Sequence, residues 1–176
     1  MGELSQVDME AFDPKLFRRN ALAGVLGLGR SGVSVAKLLS KKGFKVLGSD
    51  TRSHADLKRS LKGLPKNMKW EWSGHSDRLL KCAFIVKSPG LKPDLPILAK
   101  LAEKKIPVFS ELEIALAYSK AKALVAITGT NGKSTTTALT RDIFKAGLPR
   151  CRKAIVGGNI GVPISAVAPA SKTKDA

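Results

Sequence analysis

The alternation of short apolar runs with longer helical patterns is the feature that most constrains the fold of this sequence. Apolar runs of three to seven residues are separated by segments whose apolar residues recur at helical spacing. A strand, a helix and a second strand form the unit of a parallel sheet, so the alternation predicts an α/β fold. The predicted strands are residues 21–27, 44–49, 82–86, 106–109, 124–128 and 154–156. The predicted helices lie near residues 31–42, 94–104, 110–119 and 133–146, with a short helix and a weak strand (69–72) within residues 54–80.

Composition narrows the class of protein. The 176 residues are 43% hydrophobic, which is the usual proportion in globular chains. The formal charge of +17 suggests a nucleic-acid partner, but the basic residues are dispersed and aromatic residues make up only 5% of the chain. We therefore expect a solvated basic surface and no nucleic-acid site. Because the sequence has neither a long apolar span nor a basic start followed by an apolar block, we expect a cytoplasmic protein without a membrane partner. We also expect a monomer.

The first motif is a glycine-rich turn. Gly27, Gly29 and Gly32 form the pattern G-x-G-x-x-G directly after a predicted strand and before a predicted helix. Such a turn lets backbone N–H groups approach a diphosphate at the positive end of a helix. Asp50 ends the second predicted strand, where an acidic side chain is placed to accept a hydrogen bond from a ribose hydroxyl. The pattern predicts nucleotide binding and leaves the identity of the nucleotide open.

The second motif resembles a phosphate-binding loop. Gly132, Lys133 and Ser134 match its end, where the lysine reaches the terminal phosphates and the hydroxyl ligates Mg²⁺. The strict pattern has a glycine five residues before Gly132, and Ile127 stands there, with the glycine at Gly129 instead. This motif predicts binding of a nucleotide phosphate together with Mg²⁺.

Residues 128–134, with the sequence TGTNGKS, are similar to the phosphate loop of the Mur ligase family, and folylpolyglutamate synthases carry a similar loop. Within that family, further segments resemble the branch that adds D-glutamate to UDP-N-acetylmuramoyl-L-alanine. These segments are residues 27–32, Asp50-Thr51-Arg52, Ser88-Pro89-Gly90, Glu111-Leu112-Glu113-Ile114 and Gly157-Gly158-Asn159-Ile160-Gly161. The resemblance covers residues 21–163. It implies a Rossmann-like parallel-sheet domain followed by the start of a P-loop ATPase domain.

The resemblance also assigns site residues. The domains would be an N-terminal extension (1–20), a UDP-substrate-binding domain (21–120) and an incomplete ATP-binding domain (121–176). The residues expected to hold the UDP substrate are Gly29, Arg30, Ser31, Gly32, Asp50, Thr51, Arg52, Ser88, Pro89, Gly90 and Asn159. The residues expected to bind ATP are Gly129, Thr130, Asn131, Gly132, Lys133, Ser134, Thr135 and Thr136. Lys133 and Ser134 would be catalytic, and Ser134 would ligate Mg²⁺.

The implied activity is that of an ATP-dependent amide ligase of peptidoglycan precursor synthesis. In the family, the substrate carboxylate is converted to an acyl phosphate, which the amino group of D-glutamate attacks. Mur ligases have three domains and the resemblance stops within the second, so we expect the 176-residue chain to bind nucleotide but to be inactive alone.

Three alternatives stay open at this point. The glycine-rich turn and Asp50 also fit an NAD(P)-dependent oxidoreductase, which the phosphate loop 100 residues later opposes. A non-catalytic nucleotide- or nucleic-acid-binding fragment would make use of the +17 charge. Sister ligases that add L-alanine, L-lysine or diaminopimelate are nearer alternatives, and the segments beginning at Asp50 and Ser88 argue against them.

Ser110, Glu113 and Cys82 are expected to have structural roles. Ser110 and Glu113 have the spacing of a capping box, so we expect Glu113 to begin a helix and not to catalyse. Cys82 opens an apolar run and is expected in the core.

Overall fold

The computed structural model of the chain is built around one sheet of five parallel strands. The strands are β1 (Leu22–Leu26), β2 (Lys45–Ser49), β3 (Lys69–Glu71), β4 (Phe84–Lys87) and β5 (Val108–Ser110). Their order across the sheet is β3-β2-β1-β4-β5, and every neighbouring pair is parallel. The structure describes residues 17–58, 60–61, 64–65, 68–119, 121, 123–147, 154–158 and 161–167.

Six α-helices lie within these described residues. They are α1 (Arg30–Lys41), α2 (His54–Leu57), α3 (Pro96–Glu103), α4 (Glu111–Ala117), α5 (Lys133–Gly147) and α6 (Ile164–Val167), and a short 3₁₀ helix spans Asp77–Lys81. In that part of the chain, none of the helices is long and apolar enough to cross a membrane.

Both faces of the sheet are covered, as parallel sheets require. On one face, α1 packs its apolar stripe (Val35, Ala36, Leu39) against side chains of β1, β2 and β4. On the other face, Ile97 and Leu101 of α3 join Leu26, Leu47, Leu79 and Ile85 in a second apolar cluster. The three central strands, β1, β2 and β4, are therefore buried on both sides, which explains their largely apolar sequences.

The strand order creates a switch point at the carboxyl ends of the strands. From β1 the chain continues through β2 to β3 on one side, whereas β4 and β5 lie on the other side of β1. The connections after β1 and β4 therefore diverge, and ligands of open α/β sheets bind at such a switch point, beyond the carboxyl ends of the strands.

The structure confirms the predicted sheet with small shifts in its boundaries. β4 begins two residues later than predicted, and β5 is displaced by one or two residues toward the carboxyl terminus. The weak strand after residue 68 is β3, which forms one edge of the sheet. Cys82 is buried, as expected.

Two predicted strands are wrong. Residues 124–128 and 154–156 have no strand structure, and Leu124 and Val125 are exposed. A strand is stable only when a neighbour satisfies its backbone hydrogen bonds. The apolar pattern reports a tendency toward extended backbone, but these two runs pair neither with the sheet nor with each other among the described residues.

Candidate functional site

The glycine-rich turn packs tightly against the end of β4. Gly27 has a φ of +82°, and its N–H donates to the Ser49 carbonyl oxygen at 2.8 Å. The Ser88 hydroxyl donates to the Gly27 carbonyl oxygen at 2.8 Å, so the turns after β1 and β4 are joined directly. A methyl group on Gly32 would overlap that carbonyl oxygen and would lie 2.9 Å from Ser88 Oγ. Gly27 and Gly32 are therefore required by the packing of the protein itself.

Gly29 differs, because the space around it is open. A methyl group there would have no atom within 4 Å, and the backbone is extended (φ −72°, ψ −170°). Gly29 is the N-cap of α1 and supplies no side-chain cap. The first N–H groups of a helix lack intrahelical acceptors and attract anions. The turn therefore offers donors beside open space, as binding of a diphosphate requires.

Asp50, at the end of β2, holds this turn in place. Its Oδ2 accepts from the Leu28 N–H at 2.6 Å and from Arg52 Nη2 at 2.9 Å. Its Oδ1 accepts from the Arg52 N–H at 2.9 Å and from Arg52 Nε at 3.0 Å. These four bonds occupy the acceptor positions of the carboxylate, and the residue is only 4% exposed. Burial alone would raise the pKa of Asp50, but the bonds from Arg52 and Leu28 outweigh it and lower the pKa to about 2.

A polar network that the sequence analysis missed lies next to Asp50 and connects β2 with β3 and the loop after β3. The buried Ser49 hydroxyl donates to Glu71 Oε1 at 2.7 Å and lies 2.6 Å from His75 Nδ1. Glu71 also accepts from the Ser76 N–H and hydroxyl, at 3.0 and 2.5 Å. Although burial opposes it, these bonds lower the pKa of Glu71, which is therefore ionised at neutral pH.

The same network includes His75. If the one proton of Ser49 goes to the Glu71 carboxylate, His75 Nδ1–H donates to Ser49 Oγ and Nε2 carries the lone pair. His75 Nε2 is buried and has no hydrogen-bond partner within the described residues. Burial lowers the pKa of His75, and the nearby carboxylates of Glu71 and Asp50 oppose that shift. The loop after β3 also contacts the end of β2, since the Gly74 N–H donates to the Asp50 carbonyl oxygen at 3.2 Å.

The third predicted segment, Ser88-Pro89-Gly90, follows β4 at the same edge of the sheet. Ser88 bonds Gly27 as described, and Pro89 and Gly90 are exposed. Thr51 and Arg30 are exposed as well, and Ser31 is half-buried. The structure therefore brings the predicted UDP-site residues of all three turns to the carboxyl ends of β1, β2 and β4. Asn159 lies outside the described residues.

The phosphate-loop residues lie at the start of α5. Gly132 has a φ of +76°, and its carbonyl oxygen accepts from the Thr136 N–H at 2.9 Å. Lys133 Nζ donates to the carbonyl oxygens of Gly129 and Thr130, so the ammonium folds back across the loop. The remaining predicted ATP-site residues, Asn131, Ser134 and Thr135, are exposed.

The chemistry of this loop fits a nucleotide phosphate. It combines free helix N–H groups, one ammonium group and the Ser134 hydroxyl at the first turn of α5. A carboxylate cluster that would complete a metal site is not found: the described residues hold no group of three or more His, Cys, Asp or Glu side chains suited to a metal ion. Ser134 is the Mg²⁺ ligand that the sequence predicts, and it is exposed.

The capping box at α4 is confirmed. The Glu113 N–H donates to Ser110 Oγ at 3.2 Å, and Glu113 Oε2 accepts from the Ser110 N–H at 2.6 Å. Sequence reasoning did not find the contact made by the adjacent Glu111. That residue is buried, and its side chain accepts from the Ser165 N–H of α6. No local pattern signals a contact between residues 54 positions apart.

Comparison with known proteins identifies the family of the sheet domain. Residues 22–110, half of the chain, match the family described as Mur ligase MurD-like, N-terminal domain. A UDP-N-acetylmuramoylalanine–D-glutamate ligase from Elusimicrobium minutum is 43% identical over 158 residues, which are 87% of this chain and 34% of that protein. The enzyme of the same name from Chlorobium limicola is 40% identical over 150 residues, covering 82% of this chain and 31% of the relative.

Among solved structures, a pseudomurein peptide ligase type C from Methanothermus fervidus is 31% identical, with a TM-score of 0.48 over 78% of this chain and 29% of that one.

The chain spans about a third of the length of the curated relatives it matches. The matched segment contains all five strands and the three turns at their carboxyl ends. The chain therefore belongs to the MurD-like branch of the Mur ligase family, through the N-terminal domain of that branch.

Proposed function

We propose that this chain binds the UDP end of UDP-N-acetylmuramoyl-L-alanine for an ATP-dependent ligase that adds D-glutamate to it. The observation that carries the proposal is the meeting of three turns at the switch point of the matched domain. Gly29 supplies open space and free helix N–H groups for the diphosphate. Thr51 and Arg52 are exposed beside that turn, at the end of β2, and supply the contacts to the uridine.

The bonding of Asp50 favours UDP over a nicotinamide dinucleotide. In dinucleotide sites, an acidic side chain at this position hydrogen-bonds a ribose hydroxyl. Here four donors from Leu28 and Arg52 already occupy the carboxylate. In our proposal, Asp50 holds the glycine-rich turn and Arg52 in place. We assign no side chain to a hydrogen bond with a ribose hydroxyl. This observation weighs against the oxidoreductase alternative.

We assign the ATP phosphates to the loop at residues 129–136, with Lys133 and Ser134 as the catalytic residues. Bound ATP and Mg²⁺ would supply the phosphoryl group and neutralise its charge. Lys133 Nζ, now on the loop carbonyls of Gly129 and Thr130, would exchange them for phosphate oxygens. Ser134 would turn its hydroxyl to the metal ion. The positive end of α5 supports both roles.

We also propose how the chain is divided into domains and what else it binds. Residues 21–120 form the UDP-substrate domain, residues 121–176 belong to the ATP-binding domain, and residues 1–20 precede both. D-glutamate is the second substrate, Asn159 contacts the muramoyl part of the first, and the protein works in the cytoplasm as a monomer. No residue of α5 is buried, so this helix packs loosely against the other described residues.

Calorimetric titration of the 176-residue chain with UDP and with NAD⁺ tests the proposal. We expect UDP to bind and NAD⁺ not to bind. Gly29→Val should abolish UDP binding, since the side chain fills the open space while the extended backbone accepts it. Gly147→Ala is the matched control, because it also has open surroundings but lies at the far end of α5. Binding of NAD⁺ without binding of UDP would contradict the proposal.

A further inference from the structure

A buried hydrogen-bonded contact joins α6 to the sheet domain. Glu111 begins α4, is 8% exposed, and accepts through Oε1 from the Ser165 N–H at 2.6 Å. Ser165 is 2% exposed, and its hydroxyl donates to Ser34 Oγ of α1 at 2.8 Å. We call Glu111, Ser34 and Ser165 the α6 clamp. Helices α1 and α4 of the sheet domain thus each form a hydrogen bond with Ser165, which lies in a segment that follows the phosphate loop.

The segment held by the clamp is locally compact. The Gly158 N–H donates to the Val162 carbonyl oxygen at 3.0 Å, and the Ala166 N–H donates to the Pro163 carbonyl oxygen at 3.0 Å. A methyl group on Gly157 would lie 2.9 Å from Val167 Cγ2 and 3.1 Å from Ile164 Cδ1. Residues 157–158 and 161–167 therefore pack on themselves, and movement of α6 would move Gly157 with it.

The other end of the clamp lies close to the glycine-rich turn. Ser34 is four residues after Arg30, and residues four apart lie one above the other on a helix. The hydroxyl that accepts from Ser165 is consequently one turn of α1 away from the N–H groups that face the diphosphate in our proposal. A ligand bound at the start of α1 would therefore lie one helical turn from Ser34, whose hydroxyl accepts from Ser165.

We propose that Glu111 is a positioning residue whose clamp couples residues 161–167 to nucleotide binding at the glycine-rich turn. The coupling rests on the proposed function, whereas the clamp itself does not. Linkage between two sites is reciprocal: if UDP stabilises the clamp by some factor, an intact clamp raises the affinity for UDP by the same factor. The neutral Glu111→Gln side chain keeps an oxygen that can accept from Ser165, and Glu111→Ala removes it.

Amide hydrogen exchange of the free 176-residue chain tests the clamp. We expect the Ser165 amide to exchange at least tenfold faster in Glu111→Ala and less than threefold faster in Glu111→Gln. Glu113→Gln is the matched control on the same helix, since Glu113 is exposed and bonds only its own N-cap. Exchange in β1 reports whether each variant is folded. If Glu111→Ala fails to fold, Ser34→Ala takes its place with an expected threefold effect. Unchanged Ser165 exchange in the folded variant overturns the clamp.

A second measurement, at saturating UDP, separates the clamp from the proposed function. In the wild type, UDP should slow exchange of the Ser165 amide at least threefold, and Glu111→Ala should lose this effect and bind UDP at least threefold more weakly. UDP that perturbs residues 27–32 but leaves Ser165 exchange unchanged overturns the coupling and leaves the proposed function standing. UDP that does not bind overturns the proposed function and the coupling together, while the exchange rates of the free chain still decide the clamp.

Discussion

Replacing Gly32 by alanine tests why the glycine-rich turn has its sequence. The added methyl group would overlap the Gly27 carbonyl oxygen and lie 2.9 Å from both the Gly27 carbonyl carbon and Ser88 Oγ. Two of these three neighbours are backbone atoms, so no side-chain rotation relieves the overlap. Overpacking costs about 1–3 kcal/mol, and loss of the Ser88–Gly27 hydrogen bond adds about 1 kcal/mol. We expect Gly32→Ala to lower the free energy of unfolding by about 3 kcal/mol, or roughly 15 °C in Tm for a domain of this size.

Gly29→Ala is the matched control, because the same methyl group meets nothing within 4 Å. Alanine is a poorer N-cap than glycine, but it also restricts the unfolded chain, and these effects of under about 1 kcal/mol oppose each other. Urea unfolding followed by circular dichroism measures both variants. If Gly32→Ala unfolds within about 1 kcal/mol of Gly29→Ala, the close approach of α1 to β1 does not limit this position and our reasoning is refuted.

Three further predictions follow from charge and exposure. The pKa of Asp50 is lowered from 3.8 to about 2, so its ionised form stabilises the fold above pH 4 and this contribution is lost as the pH falls toward 2. Asp50→Asn should therefore cost about 1–2 kcal/mol at pH 7, and urea unfolding should show the difference from wild type closing between pH 4 and pH 2. Lys133→Met should weaken ATP binding at least tenfold in calorimetry but change the free energy of unfolding by less than about 0.5 kcal/mol, since the described partners of Lys133 are exposed loop carbonyls. Amides of residues 124–127, which form no strand, should exchange faster than those of β1, and equal protection would contradict the description of that segment.

The sheet was predictable because its signals are local. The central strands are short apolar runs, and each covering helix carries apolar residues at helical spacing, so the order of elements follows from the order of patterns. The capping box at Ser110 and Glu113 was equally local, because three positions of sequence define it. The turns after β1, β2 and β4 could be assigned to one edge, since parallel strands bring their carboxyl ends together.

The features that were predicted wrongly or not predicted have one physical cause. Each of them depends on residues that are distant in the sequence. Residues 124–128 carry an apolar pattern, but a strand also needs a neighbour, and none among the described residues pairs with them. The bonds that Asp50 accepts from Leu28 N–H and Arg52 were not predicted, because they depend on how two loops meet in space. The contact between Glu111 and Ser165 and the bond between Ser49 and His75 join residues far apart in sequence. No spacing rule describes such pairs.

The most direct test of UDP binding at the sheet edge is an NMR titration of the ¹⁵N-labelled 176-residue chain with UDP. We predict saturable shifts of amide signals in residues 27–32, at Thr51 and Arg52, and at Ser88 and Gly90, with β5 unaffected. These positions lie at the carboxyl ends of β1, β2 and β4. Shifts confined to residues 129–136, or no shifts at saturating UDP, would contradict a UDP site at this edge of the sheet.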